Sequence, residues 1–378
     1  MRWSDVGIYG VVFCLSLGYF AATSDSSRSK PASARPHASN VAENSTKAAP
    51  QNAAAVAAVA AVAAVADKEK EKAPAAKAVE PEQAAWDIAD PDTLPDNAWG
   101  KIVRQGRDLI TETYAHIGPE VADEAKRFAG NNLSCQNCHL EAGTKQYGLP
   151  LVGVYGDFPQ YRSREGQIGT IEDRINGCMT RSLNGEPLPL DSAEMKAMVA
   201  YIKYVSAGTV VGEETKGRGS GKMPELKRAA DPVHGEKLYA EICAACHGAD
   251  GQGKRTGVVG DAKSYEFPPL WGPDSFNDGA GMNRLISAAN FIHANMPNGV
   301  SLEEPQLEPE DAWDIAAFFQ SKPRPAKANL QNDFPNRLEK PVDASYGPYA
   351  DSFPAQVHKV GPFEEIRAEI KKLKTATN

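Results

Sequence analysis

Two copies of the string Cys-x-x-Cys-His, Cys135–His139 and Cys243–His247, carry the clearest chemistry in this 378-residue chain. Two thiols at that spacing add to the vinyl groups of a haem, and the histidine that follows becomes an axial ligand of its iron. Cys135, Cys138 and His139 therefore predict one covalent haem c, and Cys243, Cys246 and His247 a second. A structural zinc site would need a further cysteine pair near each string, and the sequence holds none. Of six cysteines, these strings consume four, Cys14 lies in an apolar N-terminal run, and Cys178 stands alone between the strings, so no disulfide framework is expected.

Cys178 sits in TIEDRINGCMTRSLNG, residues 170–185. Thr170 and Asp173 have the spacing of a helix cap and Asn184-Gly185 that of a stop, which predicts a short helix with Arg174, Cys178 and Ser182 on one face. Gly177 costs helix stability but lets a backbone or a flat macrocycle come close. Three readings of Cys178 compete: an inert buried thiol, a neighbour of a Met179 iron ligand, or the ligand itself. Arg162, Arg164, Arg174 and Arg181 crowd this stretch, and adjacent positive charge stabilises a thiolate, which favours the third. For Arg164 and Arg181 a plain solvated helix face is the alternative.

At the second haem the distal ligand is expected beyond the string. Met296 in HANMPNG is preferred as a soft thioether, with Met282 and His293 as competitors. A carbonyl in the segment Pro268–Gly272 suits the ring N–H of His247 and would fix its orientation.

The elements that must hold these residues repeat. Helical apolar spacing precedes each string, through Trp99, Ile102, Val103, Gly106, Leu109 and Ile110 in the first and Val233, Leu238, Tyr239 and Ile242 in the second. A further amphipathic helix closes each unit, one around Met195–Val205 with Asp191 and Glu194 at capping-box spacing, the other around Trp313–Phe319 opening at Pro309. Helix, haem string, ligand loop and closing helix predict an all-α chain of two class I cytochrome c domains in tandem. The first domain spans residues 85–209 and the second 230–322, with a linker at 210–229 and an extended C-terminal tail at 323–378.

Ahead of them, residues 1–22 read as a signal peptide or uncleaved membrane anchor. Residues 6–22 are apolar, and the lack of an A-x-A site favours the anchor. Residues 23–84 are rich in Ala, Lys, Ser, Pro and Glu and form a disordered tether, with an r.m.s. reach of ~40–45 Å for a random coil. Both haem domains are then expected in the periplasm, and a formal charge of −8 excludes nucleic acid as a partner.

SCQNCHLEAG, YRS at 161–163, DRINGCMTRSLNG and YIKYVSAG, together with the tail segments KPRPAKANLQNDFPNR and KPVDASYGPYADSFPAQVHKVGPF, closely resemble the dihaem thiosulfate dehydrogenases. The resemblance covers about residues 95 to 365. It implies a periplasmic enzyme that couples two thiosulfate ions to tetrathionate, reversibly in principle, and passes two electrons to a small c-type cytochrome. It further implies His139 and Cys178 as ligands of the first iron, His247 and Met296 as ligands of the second, and Arg162, Arg174 and Ser182 around the substrate. Some relatives carry lysine before that methionine; Asn295 stands there in this chain, so a lysine-ligated form is not expected. The rival readings are a dihaem electron carrier, with Met179 as the first distal ligand and no use for Cys178, and a dihaem peroxidase with one open iron.

Overall fold

The computed structural model describes residues 84–377, so the predicted anchor at 1–22 and all but the last residue of the tether lie outside the described residues. In the first domain, helix α1 (Ala98–Thr111) is capped by Asn97, whose side chain accepts from the N–H of Gly100 at 2.9 Å. It buries Val103, Gly106, Leu109 and Ile110, whereas Trp99, expected on the same stripe, is 42% exposed. A hairpin of β1 (Gln160–Arg162) and β2 (Gln167–Gly169) leads into α2 (Ile171–Met179), and α3 (Ala193–Val205) closes the domain against α1. Ser192 caps α3 by accepting from Met195 N–H at 3.1 Å, so the helix begins without the expected Asp191–Glu194 box.

The second domain repeats the plan. Helix α4 (Pro232–Leu238) passes through a π turn at Tyr239–Cys243 into the haem string, a hairpin of β3 (Lys254–Arg255) and β4 (Tyr265–Phe267) follows, and α5 (Leu285–Asn295) and α6 (Pro309–Gln320) complete the bundle. Pro309 occupies the first turn of α6 as its sequence suggests. Val233, read as part of the apolar stripe, is 63% exposed, because α4 turns Gly235 to its partner instead. The same device fixes both crossings. A Cβ on Gly106 would lie 2.0 Å from the carbonyl oxygen of Ala197 in α3, and one on Gly235 would lie 1.9 Å from that of Asp314 in α6. Only glycine allows backbones that close. Apart from the two small hairpins the described fold is helical, with one apolar core per domain.

The domains are fastened to each other by polar contacts. Asn131 Nδ2 donates to the carbonyls of Ser182 and Ser275, at 3.0 and 3.1 Å. Glu120 pairs with Arg255 at 2.9 Å, Asn295 donates to Tyr147 O at 3.0 Å, and Lys145 to Val300 O at 3.0 Å. The segment read as a linker, 210–229, packs on both domains: Gly219 O accepts from Leu149 N at 2.9 Å and Arg218 pairs with Asp157 in the first, while Met223 N donates to Asn290 Oδ1 at 3.1 Å and Arg228 pairs with Asp314 at 2.8 Å in the second. The tail is only partly extended. It crosses the mouth of the first domain, then forms the short helix Ala355–Val360 and α7 (Glu364–Thr377), which buries Ile366 in the second core.

Candidate active site

The first haem string is held by Thr113, which lies just beyond the end of α1. Its hydroxyl donates to Leu109 O at 2.7 Å and accepts from Cys135 N at 3.1 Å, pinning the first cysteine. His139 Nδ1 lies 2.5 Å from Leu149 O, so this nitrogen carries the proton and Nε2 is the nitrogen left for iron. Across from it is Cys178 on α2. The helix is held at its start by the predicted capping box, with Thr170 N donating to Asp173 Oδ2 at 2.8 Å and Asp173 N to Thr170 Oγ1 at 3.4 Å.

Arg174 donates to the Cys178 sulfur at 2.8 Å, one helical turn away. Burial alone raises the thiol, but the Arg174 charge and the hydrogen bond and charge of His139 outweigh it and bring Cys178 down to about 6. Burial pushes its neighbours the other way, Cys135 up to about 11 and Cys138 up to about 12. Met179, the rival distal residue, is 1% exposed within the apolar core, away from the cavity that Cys178 faces.

That cavity has a volume of about 490 Å³ and brings Cys138, His139, Cys178, Arg162, Arg174 and Ser182 together. Ser182 reaches it from a turn and not from the helix. α2 stops at Met179, since the N–H groups of Leu183 and Gly185 fold back onto the carbonyls of Cys178 and Met179 at 3.1 and 2.9 Å. Arg162, at the end of β1, forks onto Glu165 with Nε at 3.0 Å and Nη2 at 3.3 Å. The site fits a covalent haem: two thiols and a ring-locked histidine stand opposite a thiolate, and Gly177 faces open space, with only an Arg162 Nη at 3.7 Å from where its Cβ would be.

The second site is built differently. His247 Nδ1 lies 2.8 Å from Pro268 O, the carbonyl expected from the sequence, and burial holds its ring below the ordinary imidazole value and so neutral. Met296 is the C-cap of α5 and packs on the second core, while His293 lies buried one turn earlier. Met282 packs on the same second core and also lines the first cavity.

The family described as SoxA/TsdA, cytochrome c domain, matches residues 125–211, and the family described as Cytochrome c matches residues 232–322. Thiosulfate dehydrogenase of Allochromatium vinosum is 44% identical over 254 residues, 66% of this chain and 88% of that protein. That of Stutzerimonas stutzeri is 40% identical over 237 residues, 63% of this chain and 72% of that protein. The solved thiosulfate dehydrogenase (TsdBA) of Marichromatium purpuratum superposes with a TM-score of 0.58 at 32% identity, covering 72% of this chain and 54% of that one. The chain belongs to the thiosulfate dehydrogenase family.

As in that family, each cytochrome c domain carries one covalent haem c. For the two arginines that had a solvated face as their alternative reading, that alternative does not hold. Arg181 is buried, paired with Asp333 of the tail at 2.7 Å and bonded to Gly279 O at 3.3 Å, so it braces both domains and the tail. Arg164 is half-buried in the cavity wall, donates to Gly279 O at 3.2 Å and stacks over Phe334, and it has no carboxylate partner among the described residues. Burial and then the charges of Arg181 and Arg284 hold it below the ordinary guanidinium value. Reading by local spacing missed Arg284 and Phe334 altogether, and it considered Met282 only as a candidate ligand of the second haem. They come from the second domain and the tail, and no period links them to α2.

Proposed function

We propose that this protein oxidises thiosulfate to tetrathionate at the first haem and passes the electrons through the second haem to a small c-type cytochrome in the periplasm. The observation that carries this reading is a cysteine thiolate, Cys178, clasped by Arg174 in a cavity lined by further arginines and facing His139. His139 and Cys178 would hold the first iron, His247 and Met296 the second, and each haem supplies acceptance of one electron. Two haems thus match the balance 2 S₂O₃²⁻ → S₄O₆²⁻ + 2 e⁻.

Bringing two dianions within ~5 Å costs on the order of 10 kcal/mol even at an effective dielectric of ~20, so substrate pairing needs several fixed cations. Arg162 and Arg174 supply forked donors for sulfonate oxygens and Ser182 a hydroxyl. With Arg162 shared with Glu165, Arg174 is the stronger pole at the sulfur.

Cys178 also serves as a covalent relay. Once its sulfur is off the iron, the thiolate would join the outer sulfur of one thiosulfate, giving Cys–S–S–SO₃⁻ and two electrons, one for each haem, and the second thiosulfate would displace the thiolate to release tetrathionate. An electron carrier would have no use for this cleft. Adding thiosulfate to the oxidised protein without oxygen should reduce both haems and yield one tetrathionate per two electrons. Haems that stay oxidised in excess thiosulfate would refute the reading. The apolar run at 6–22, outside the described residues, supports export and membrane tethering. Among the described residues no helix is long and apolar enough to cross a membrane.

A further inference from the structure

The cavity beside Cys178 is not the property of the first domain alone. Its far wall is built by Met282, Arg284 and Ser287 of the second domain and by Phe334 and Pro341 of the tail. Arg284 is the immobilised charge in that wall. Its Nε donates at 2.9 Å to Oδ1 of Asp343, a tail carboxylate with a fully buried side chain, whose Oδ2 accepts from Ile286 N at 3.0 Å. Asp343 therefore grips both the arginine and the first turn of α5. This bond uses Nε alone, so the two Nη groups, on a side chain 30% exposed, have no hydrogen-bond partner among the described residues.

The reaction proposed above needs two poles for two dianions. One lies at Arg162, Arg174 and Ser182 beside the reactive sulfur. Elsewhere in the same lining, Arg164 without a carboxylate and Arg284 held by Nε face the same space. We propose that Arg284 is a substrate-binding residue contributed across the domain interface, and that it holds the sulfonate of the second thiosulfate and, after coupling, the far sulfonate of tetrathionate. Asp343 is its positioning residue. This assignment rests on the thiosulfate reading and adds the location of the second subsite.

The test is steady-state thiosulfate oxidation by the haem-loaded full chain with ferricyanide as acceptor. In Arg284→Gln, KM for thiosulfate should rise about tenfold or more, with kcat changed far less and with product inhibition by tetrathionate weakened in parallel. Arg284→Lys should recover part of the affinity, since charge survives without the fork. Ser287→Asp offers an independent variant. An acid in the first turn of α5 favours the helix, so misfolding is not expected, yet its charge in the wall should raise KM similarly. An unchanged KM in Arg284→Gln or in Ser287→Asp, or a lysine variant as impaired as glutamine, overturns the assignment while wild-type turnover upholds the reaction. Wild-type protein that does not oxidise thiosulfate sinks both.

Discussion

The two cytochrome domains share a chassis and differ on the far side of the haem. Each crosses its first and last helices at a glycine where an added Cβ would lie about 2.0 Å from a partner carbonyl oxygen, and each ties its histidine Nδ1 to a loop carbonyl, at 2.5 Å in the first and 2.8 Å in the second. The first then places a capped helix bearing Arg174 and Cys178 before the ring, whereas the second ends an apolar helix at Met296. On the proposed reading, the chassis fixes where a haem sits, and the distal segment decides whether it meets substrate or only electrons.

The strongest way to break this contrast is to exchange the distal sulfurs. Cys178→Met should lower tetrathionate formation by about 10³-fold or more while both haems remain attached, since it removes the thiolate and the partner of Arg174. Met296→Leu should alter the spectrum of one haem only, and thiosulfate should still reduce the other in a single turnover. If the two variants have equal effects on single-turnover chemistry, the division of labour is wrong.

The shared chassis is sharpened by Gly106→Ala and Gly235→Ala. Each should cost about 3 kcal/mol, read by thermal unfolding, because a methyl at 2.0 or 1.9 Å from a carbonyl oxygen forces the helices apart. A marked asymmetry between them would show that one crossing yields more readily.

A smaller effect separates the domains by pH. Asp314 in the second domain is buried, which raises its carboxyl, but Arg228 at 2.8 Å, the N–H of Asp231 and His234 at 3.0 Å hold it below the usual carboxylate range. A lowered native value means that its contribution to stability is present above pH ~4 and is lost as pH falls through that lowered value. The melting temperature of the wild type should drop on acidification from about pH 5 to pH 3, and Asp314→Asn, less stable at neutral pH, should show a flatter profile.

The sequence made some parts of this site legible because they are local. The haem strings, the Thr170–Asp173 box and the Pro268 carbonyl facing His247 each depend on a few adjacent residues with one geometrical solution. Ser182 was misplaced onto a helix because nothing in TRSLNG announces that the chain turns back at Cys178 and Met179. For Arg164 and Arg181 a solvated face stayed open as the alternative because what buries them, Gly279, Asp333 and Phe334, lies far along the chain. Trp99 and Val233 joined apolar stripes by spacing, yet both are exposed, and the second crossing turns inward at Gly235, which a hydrophobic count does not notice.

The carboxylates that seat Arg181 and Arg284 lie in the last portion of the chain, after both haem strings. On the proposed reading, both haem strings precede the residues that complete one wall of the substrate chamber. Competence to react therefore arrives with the carboxyl end, and a prematurely terminated product that lacks residues beyond 332 would be a coloured but incomplete cytochrome.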